Sequence, residues 1–234
     1  MQNFARRARQ TLIGDKAFYK AVLAIIIPVI IQNGISNFVN LLDNLMVGAL
    51  GNEEMSGVAI ANQLVFVFNL CVFGGLSGAG IFGAQFYGAG DIEGLRSTFR
   101  IKLMQSAALL AVTFIVLLGF SRPLISLFLR GDGDAAMAEK MLGFGHEYLM
   151  VILIGLPAFA VSTSYAGTLR EMGETRLPMI ASVSAVATNA VFNYLLIFGR
   201  LGFPRMGVVG AAVATVLSRY VELAIIVITT HRRK

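Results

Sequence analysis

A single carboxylate stands at the end of a run of amides inside an otherwise apolar stretch. In NGISNFVNLLDNLMVGALG, from Asn33 to Gly51, the polar residues Asn33, Ser36, Asn37, Asn40, Asp43 and Asn44 recur every three or four positions. That spacing places them on one face of a helix. Lipid offers an amide or a carboxylate no partner, so such a face must look into a bundle interior or a water-filled cavity. Hydrogen bonding between packed helices accounts for one or two asparagines. A continuous stripe ending in an acid fits a binding cavity better, one in which Asp43 meets a cation or takes up a proton.

Two further stretches carry polar faces. Ser182, Asn189 and Asn193 are spaced by seven and four, and Thr215, Ser218 and Glu222 by three and four, with Arg219 beside them. At about 1.5 Å per residue from the charged anchors Lys20 and Arg176, Asp43, Asn189 and Asn193 all fall in the outer half of a membrane. Common depth predicts one cavity between the first and fifth helices, with the sixth joining through Thr215. Arg219 and Glu222, three apart, are read as an ion pair or a vestibule wall. His146 and Glu147 read as rim residues in contact with water. The run GLSG (Gly75–Gly78) resembles the nucleophile motif of intramembrane proteases. That chemistry needs a histidine at matching depth, and the histidines here are His146 at the rim and His231 in the basic tail. No enzyme is expected.

The elements that must position these residues are spans. Of 234 residues 56% are hydrophobic and 14% charged, with a mean hydropathy of +0.75. A soluble domain carries roughly 25% charged residues. The uncharged runs 21–42, 55–90, 103–121, 148–169 and 177–199, and the run 206–230 broken by Arg219 and Glu222, each provide the ~20 residues a crossing needs. Six transmembrane helices follow, in an all-α bundle. The run 55–90 is too long for one straight span, so its glycine-rich end emerges into the interface. Gly74, Gly78, Gly80 and Gly83 there allow close helix contact.

With six spans the loops alternate sides. One side holds Arg6, Arg7, Arg9, Lys16, Lys20, Arg96, Arg100, Lys102, Arg170, Arg176, Arg232, Arg233 and Lys234. The other holds Arg122, Arg130, Lys140, Arg200 and Arg205. Thirteen against five makes the first side, with both termini, cytoplasmic in a multi-pass protein of the inner membrane. The net charge of +6 is therefore topology and contact with anionic membrane lipids, and gives no argument for nucleic acid. Cys71 is the only cysteine, which excludes an intrachain disulfide and a thiolate metal cluster. The basic N-terminus precedes an apolar run far longer than a signal peptide's, so the run reads as a retained first span.

The chain reads as a single lobe over 1–234. A basic interfacial lead-in covers 1–17, helices 1 to 6 cover 18–230, and a basic cytoplasmic tail covers 231–234. Helix 1 is expected over about Ala21–Val47, helix 2 from near Met55 to the turn YGAGD, and helix 3 over about Arg100–Ser121. Pro123 and an amphipathic segment, LISLFL, follow. Helix 4 is expected over about Glu147–Leu169, helix 5 over Pro178–Phe198 and helix 6 over about Val208–Thr229. Pro28 removes one backbone bond from helix 1 and makes that point a candidate hinge.

Several segments together resemble the multidrug and toxic compound extrusion (MATE) antiporters. They are Pro28 with LLDNLMVGALG (Leu41–Gly51), GAQFYGAGD (Gly83–Asp91), EYLMVILIGLPAF (Glu147–Phe159), GTLREMGETRLPM (Gly167–Met179), TNAVFNYLLIFG (Thr188–Gly199) and MGVVGAAVATVLSR (Met206–Arg219). The resemblance implies a twelve-helix exporter of two six-helix lobes that expels organic cations and other toxic compounds in exchange for Na⁺ or H⁺. This chain resembles the N-terminal lobe alone. The resemblance implies that Asp43, Asn189 and Asn193 form the site for the coupling cation, and that a bend near Pro28 accompanies protonation. No cofactor is implied besides the coupling ion. The substrate cavity is expected to take in Asn33, Asn37, Asn40 and Thr215. Many relatives carry aspartate where Asn193 stands, so this lobe is expected to hold one carboxylate. The expected partners are membrane lipids, small and mostly cationic organic substrates, and either a second copy of the chain or a separate C-terminal lobe. A lipid or polysaccharide flippase of the same superfamily would favour a more basic cavity, and a non-transporting lobe is the third reading.

Overall fold

The computed structural model describes residues 16–129 and 134–232. Six helices account for nearly all of them: α1 (Lys16–Gly48), α2 (Asn52–Gly88), α3 (Ile92–Phe128), α4 (Ala135–Glu171), α5 (Arg176–Phe198) and α6 (Gly207–Arg232). All six are long and apolar enough to cross a membrane, and no strand occurs among the described residues. Helices are what lipid demands, because each backbone N–H and C=O must be satisfied within its own segment. Most of the lead-in 1–17, the residues 130–133 of the outer loop and the last two residues of the tail lie outside the described residues. Lys16 and Ala17 already belong to α1, and His231 and Arg232 close α6.

Local chemistry sets the helix ends. Asp91 caps α3 by accepting from the Gly94 N–H at 2.8 Å, and Asp134 caps α4 by accepting from the Ala136 N–H at 2.9 Å. Each thus satisfies a backbone donor the helix cannot. Gly199, at φ 65°, closes α5 in the left-handed conformation. All six helices start earlier than expected: α1 by five residues, α2 by three, α3 by eight, α4 by twelve, α5 by two and α6 by one. Charge marks where hydrocarbon ends, whereas a helix carries on into the interface. α3 runs past the expected stop at Ser121, but its backbone breaks at Phe120 (φ −129°, ψ 15°). Pro123 explains the break, since its ring opposes the carbonyl of residue 119 and it has no N–H to give.

One charge at the expected inner edge of helix 3 lies in the core. Lys102 lies three turns inside the helix and is 1% exposed. It pairs with Glu171 at the inner end of α4 and donates to Thr168 Oγ1 at 3.1 Å. It is therefore an internal clamp of α3 on α4 and not a surface anchor.

α4 forms the middle of the lobe, with Leu149, Ala160 and Ser164 fully enclosed. Lipid tails are as apolar as leucine, so close fit rather than water exclusion holds such helices together. The tightest fit joins α2 to α4, where a Cβ on Gly145 would come within 2.8 Å of the Gly57 carbonyl oxygen. α5 and α6 approach similarly, with Gly210 against the Leu196 carbonyl group. Of the glycines expected to make contacts, Gly80 and Gly83 pack on the Glu171 carboxylate, while Gly74 and Gly78 meet no atom within 4 Å of where a Cβ would stand. α1 lies at the edge, packed chiefly on α5. Its Leu23, Ile27, Ile30, Phe38, Leu41 and Leu45 are exposed.

Candidate functional site

Asp43 sits on α1 opposite the polar face of α5, where Asn193 donates its amide to the Asp43 carboxylate. Asn193 is 1% exposed, and its Oδ1 is buried without a hydrogen-bond partner. Asn189 lies one turn away on the same helix. In the amide orientation that satisfies its neighbours, its nitrogen donates to Asp43 Oδ1 at 2.9 Å and Oδ2 at 2.8 Å, and its oxygen accepts from Thr215 Oγ1 at 3.2 Å. Thr215 Oγ1 also lies 3.0 Å from the Ala211 carbonyl oxygen, so its single proton serves one of the two acceptors at a time. Three helices thus converge on one carboxylate, as the spacing of seven and four on α5 required.

A cavity of about 320 Å³ opens beside this cluster. Asn40, Asp43, Asn44, Asn193 and Thr215 line it from α1, α5 and α6. Asn33 and Asn37 are exposed on α1 further inward and are not among the residues lining the cavity. Pro28 lies further inward still, within an uninterrupted α1.

Asn62 and Asn69 of α2 and Tyr148 and Phe159 of α4, not singled out from the sequence, also line the cavity, as does Arg219 of α6. Asn62 and Asn69 are seven apart, hence on one helix face, a signal as legible as that of α5. Tyr148 is buried and its hydroxyl faces both Thr215 and Asn62. Arg219 pairs with Glu222 at 3.5 Å, as expected, and also stacks over the Phe159 ring, 4.9 Å from its centroid. Glu222 and the ring temper its charge, yet it remains within electrostatic reach of Asp43. His146 meets Ser121 at 3.1 Å, at the break in α3. It is not among the residues lining the cavity.

Chemically, the arrangement is an acceptor site. The Asp43 carboxylate, several asparagine amides and the Thr215 and Tyr148 side chains line a space large enough for a small organic molecule. Oxygen ligands of this kind suit hard cations and ammonium groups. Among the described residues, no group of three or more His, Cys, Asp or Glu side chains could hold a transition metal.

The MatE family profile matches residues 28–195. A NorM protein of Thermotoga maritima, described as a probable multidrug resistance protein, is 32% identical over 219 residues, which cover 92% of this chain and 45% of the relative. Its counterpart in Halalkalibacterium halodurans is 29% identical over 213 residues, covering 89% and 44%. Among solved structures, an outward-facing multidrug resistance MATE family transporter superposes with a TM-score of 0.79 at 28% identity, covering 92% of this chain and 45% of that one. The chain thus spans about half the length of the relatives it matches. The polar site on α1, α5 and α6, the six-helix lobe that holds it and these matches agree: the chain belongs to the MATE family of membrane transporters.

Proposed function

We propose that the chain is the half of a cation-coupled multidrug exporter that carries the coupling site. Asp43 is the coupling residue. It accepts either H⁺ or Na⁺ and, in alternation, the positive charge of an organic substrate held in the cavity. Asn189 and Asn193 shape the carboxylate and supply further oxygen. The observation that carries this reading is Asp43, bonded to the Asn193 amide in the wall of a cavity of about 320 Å³. An acid at membrane depth faces a bundle interior or a cavity and takes a partner there, and a bound cation supplies one.

The site moves a solute and performs no covalent chemistry, so the chain is read as a transporter and not an enzyme. The charge asymmetry favours an inner-membrane protein with both termini in the cytoplasm. The exposed asparagines of α1 cannot rest against lipid tails. They favour a second lobe across a shared cleft, supplied by a second copy of this chain or by a separate C-terminal lobe. A flippase is the weaker reading, because the arginine of the cavity is offset by Glu222.

The test is exchange in vesicles. Proteoliposomes carrying the chain, loaded with a fluorescent organic cation, are challenged with an imposed proton gradient or an imposed Na⁺ gradient. Gradient-driven movement under one of the two identifies the ion. No movement under either, from protein shown to bind the dye, places the transport step with a second lobe. No binding at all overturns the proposal.

A further inference from the structure

α1 holds Asp43 near one end and a proline near its middle. Pro28 gives no N–H to the carbonyl of residue 24, so the helix is weakest there. The parts of α1 on either side of it are unequally secured. Among the described side chains of α1, only Val39 and Val47 are buried, and both lie outward of the proline. Inward of Val39 the helix has little packing to define its path.

One polar bond stands at this weak point. Gln32, one turn beyond Pro28, accepts from Arg170 Nη2 on α4 at 3.0 Å. A hydrogen bond from a guanidinium is among the stronger kinds. Glu222 of α6 lies within electrostatic reach of Arg170. Glu222 also pairs with Arg219, whose side chain lines the Asp43 cavity. The Arg170–Gln32 bond therefore ties α4 to α1 beside its proline.

We propose that Arg170 is a positioning residue that latches α1 through Gln32 and so fixes the inner end of the segment carrying Asp43. That segment is pinned at two places, Gln32 on α4 and Asp43 on α5. They are eleven residues apart, or about 16 Å of helix. With both pins in place the segment is a straight strut. When Asp43 exchanges its asparagine partners for a cation, Gln32 remains as the pivot, and movement is confined to the part of α1 outward of it. The consequence for transport rests on the reading of Asp43 given above, whereas the latch itself is a matter of helix position.

The experiment measures that position. Spin labels at Ile30→Cys and Ile101→Cys, in a Cys71→Ser background, report the distance between α1 and α3 in lipid nanodiscs. Ile30 and Ile101 are both exposed, and Ile101 adjoins Lys102, which is clamped to α4. Gln32→Leu should broaden and shift the distance distribution, and Arg170→Leu should do the same, with the double variant no broader than either. Gln32→Glu, which offers Arg170 a carboxylate, should keep the distribution as narrow as the parent's. Unchanged distributions in the leucine variants, or a Gln32→Glu distribution as broad as that of Gln32→Leu, would overturn the latch. If Arg170→Leu fails to fold, the contrast between the two Gln32 variants decides alone. Cation binding plays no part in the readout, so failure of the coupling proposal would leave this result standing.

Discussion

Asn193 donates its side-chain amide to the carboxylate of Asp43, joining α5 to α1 across 150 positions of sequence. The bond makes the edge helix part of the lobe at the depth of the cavity. It also predicts a cross-link. Asp43→Cys with Asn193→Cys, in the Cys71→Ser background that removes the exposed native thiol, should be bridged by a short bifunctional reagent. Mass spectrometry of the peptides checks it. Separate labelling of both cysteines without a bridge would mean that the two helices do not face each other there.

The buried pair Lys102–Glu171 predicts an asymmetric mutational response. Lys102→Met leaves the Glu171 carboxylate unpaired against Gly80 and Gly83, at a cost of about 3–5 kcal/mol. Lys102→Met with Glu171→Leu removes both charges and should recover most of that loss. Circular dichroism melts in detergent measure it. Equal melting temperatures for the single and double variants would show that the pair is not an energetic unit.

Much of this was legible in the residues. Uncharged runs located all six spans, and helical spacing plus common depth brought Asp43, Asn189, Asn193 and Thr215 to one place. Helix ends were less legible, because α4 leaves the hydrocarbon yet stays helical back to Ala135. Lys102, at the expected inner edge of helix 3, reads as a surface anchor until its pairing with Glu171 of α4 is seen. The glycine pattern also misled. A glycine shows that a helix permits close approach, but the partner decides where it happens, and Gly57 meets Gly145 while Gly74 and Gly78 face open space. Asn62 and Asn69 are hidden by an apolar run so long that its two asparagines look incidental.

Arg219 predicts a charge effect on selectivity. Arg219 and Asp43 line the same cavity, and at an effective dielectric of about 20 a unit charge at such range contributes on the order of 1 kcal/mol. Arg219→Gln should therefore tighten binding of an organic cation several-fold. Arg219→Gln with Glu222→Gln, which restores the net charge, should return it close to the parent's value. Fluorescence polarisation of a cationic dye checks both, and weaker binding in Arg219→Gln would contradict the assignment.

A second carboxylate should convert the site. Asn193→Asp places two acids against one another, and two like charges so close favour a bound cation between them. Na⁺ should then raise the melting temperature of Asn193→Asp more than that of the parent. An equal response to Na⁺ and K⁺ in both proteins would show that Asn193 does not face the ion.

The central claim is that Asp43 receives the positive charge of the substrate, and equilibrium binding tests it most directly. Purified protein and its Asp43→Asn variant, which keeps the shape and most hydrogen bonds, are titrated with a fluorescent organic cation and with an uncharged dye of similar size. Losing the carboxylate should cost at least about 2 kcal/mol, or roughly 30-fold in affinity, for the cation, with little change for the uncharged dye. Equal affinity of both proteins for the cation would contradict the account.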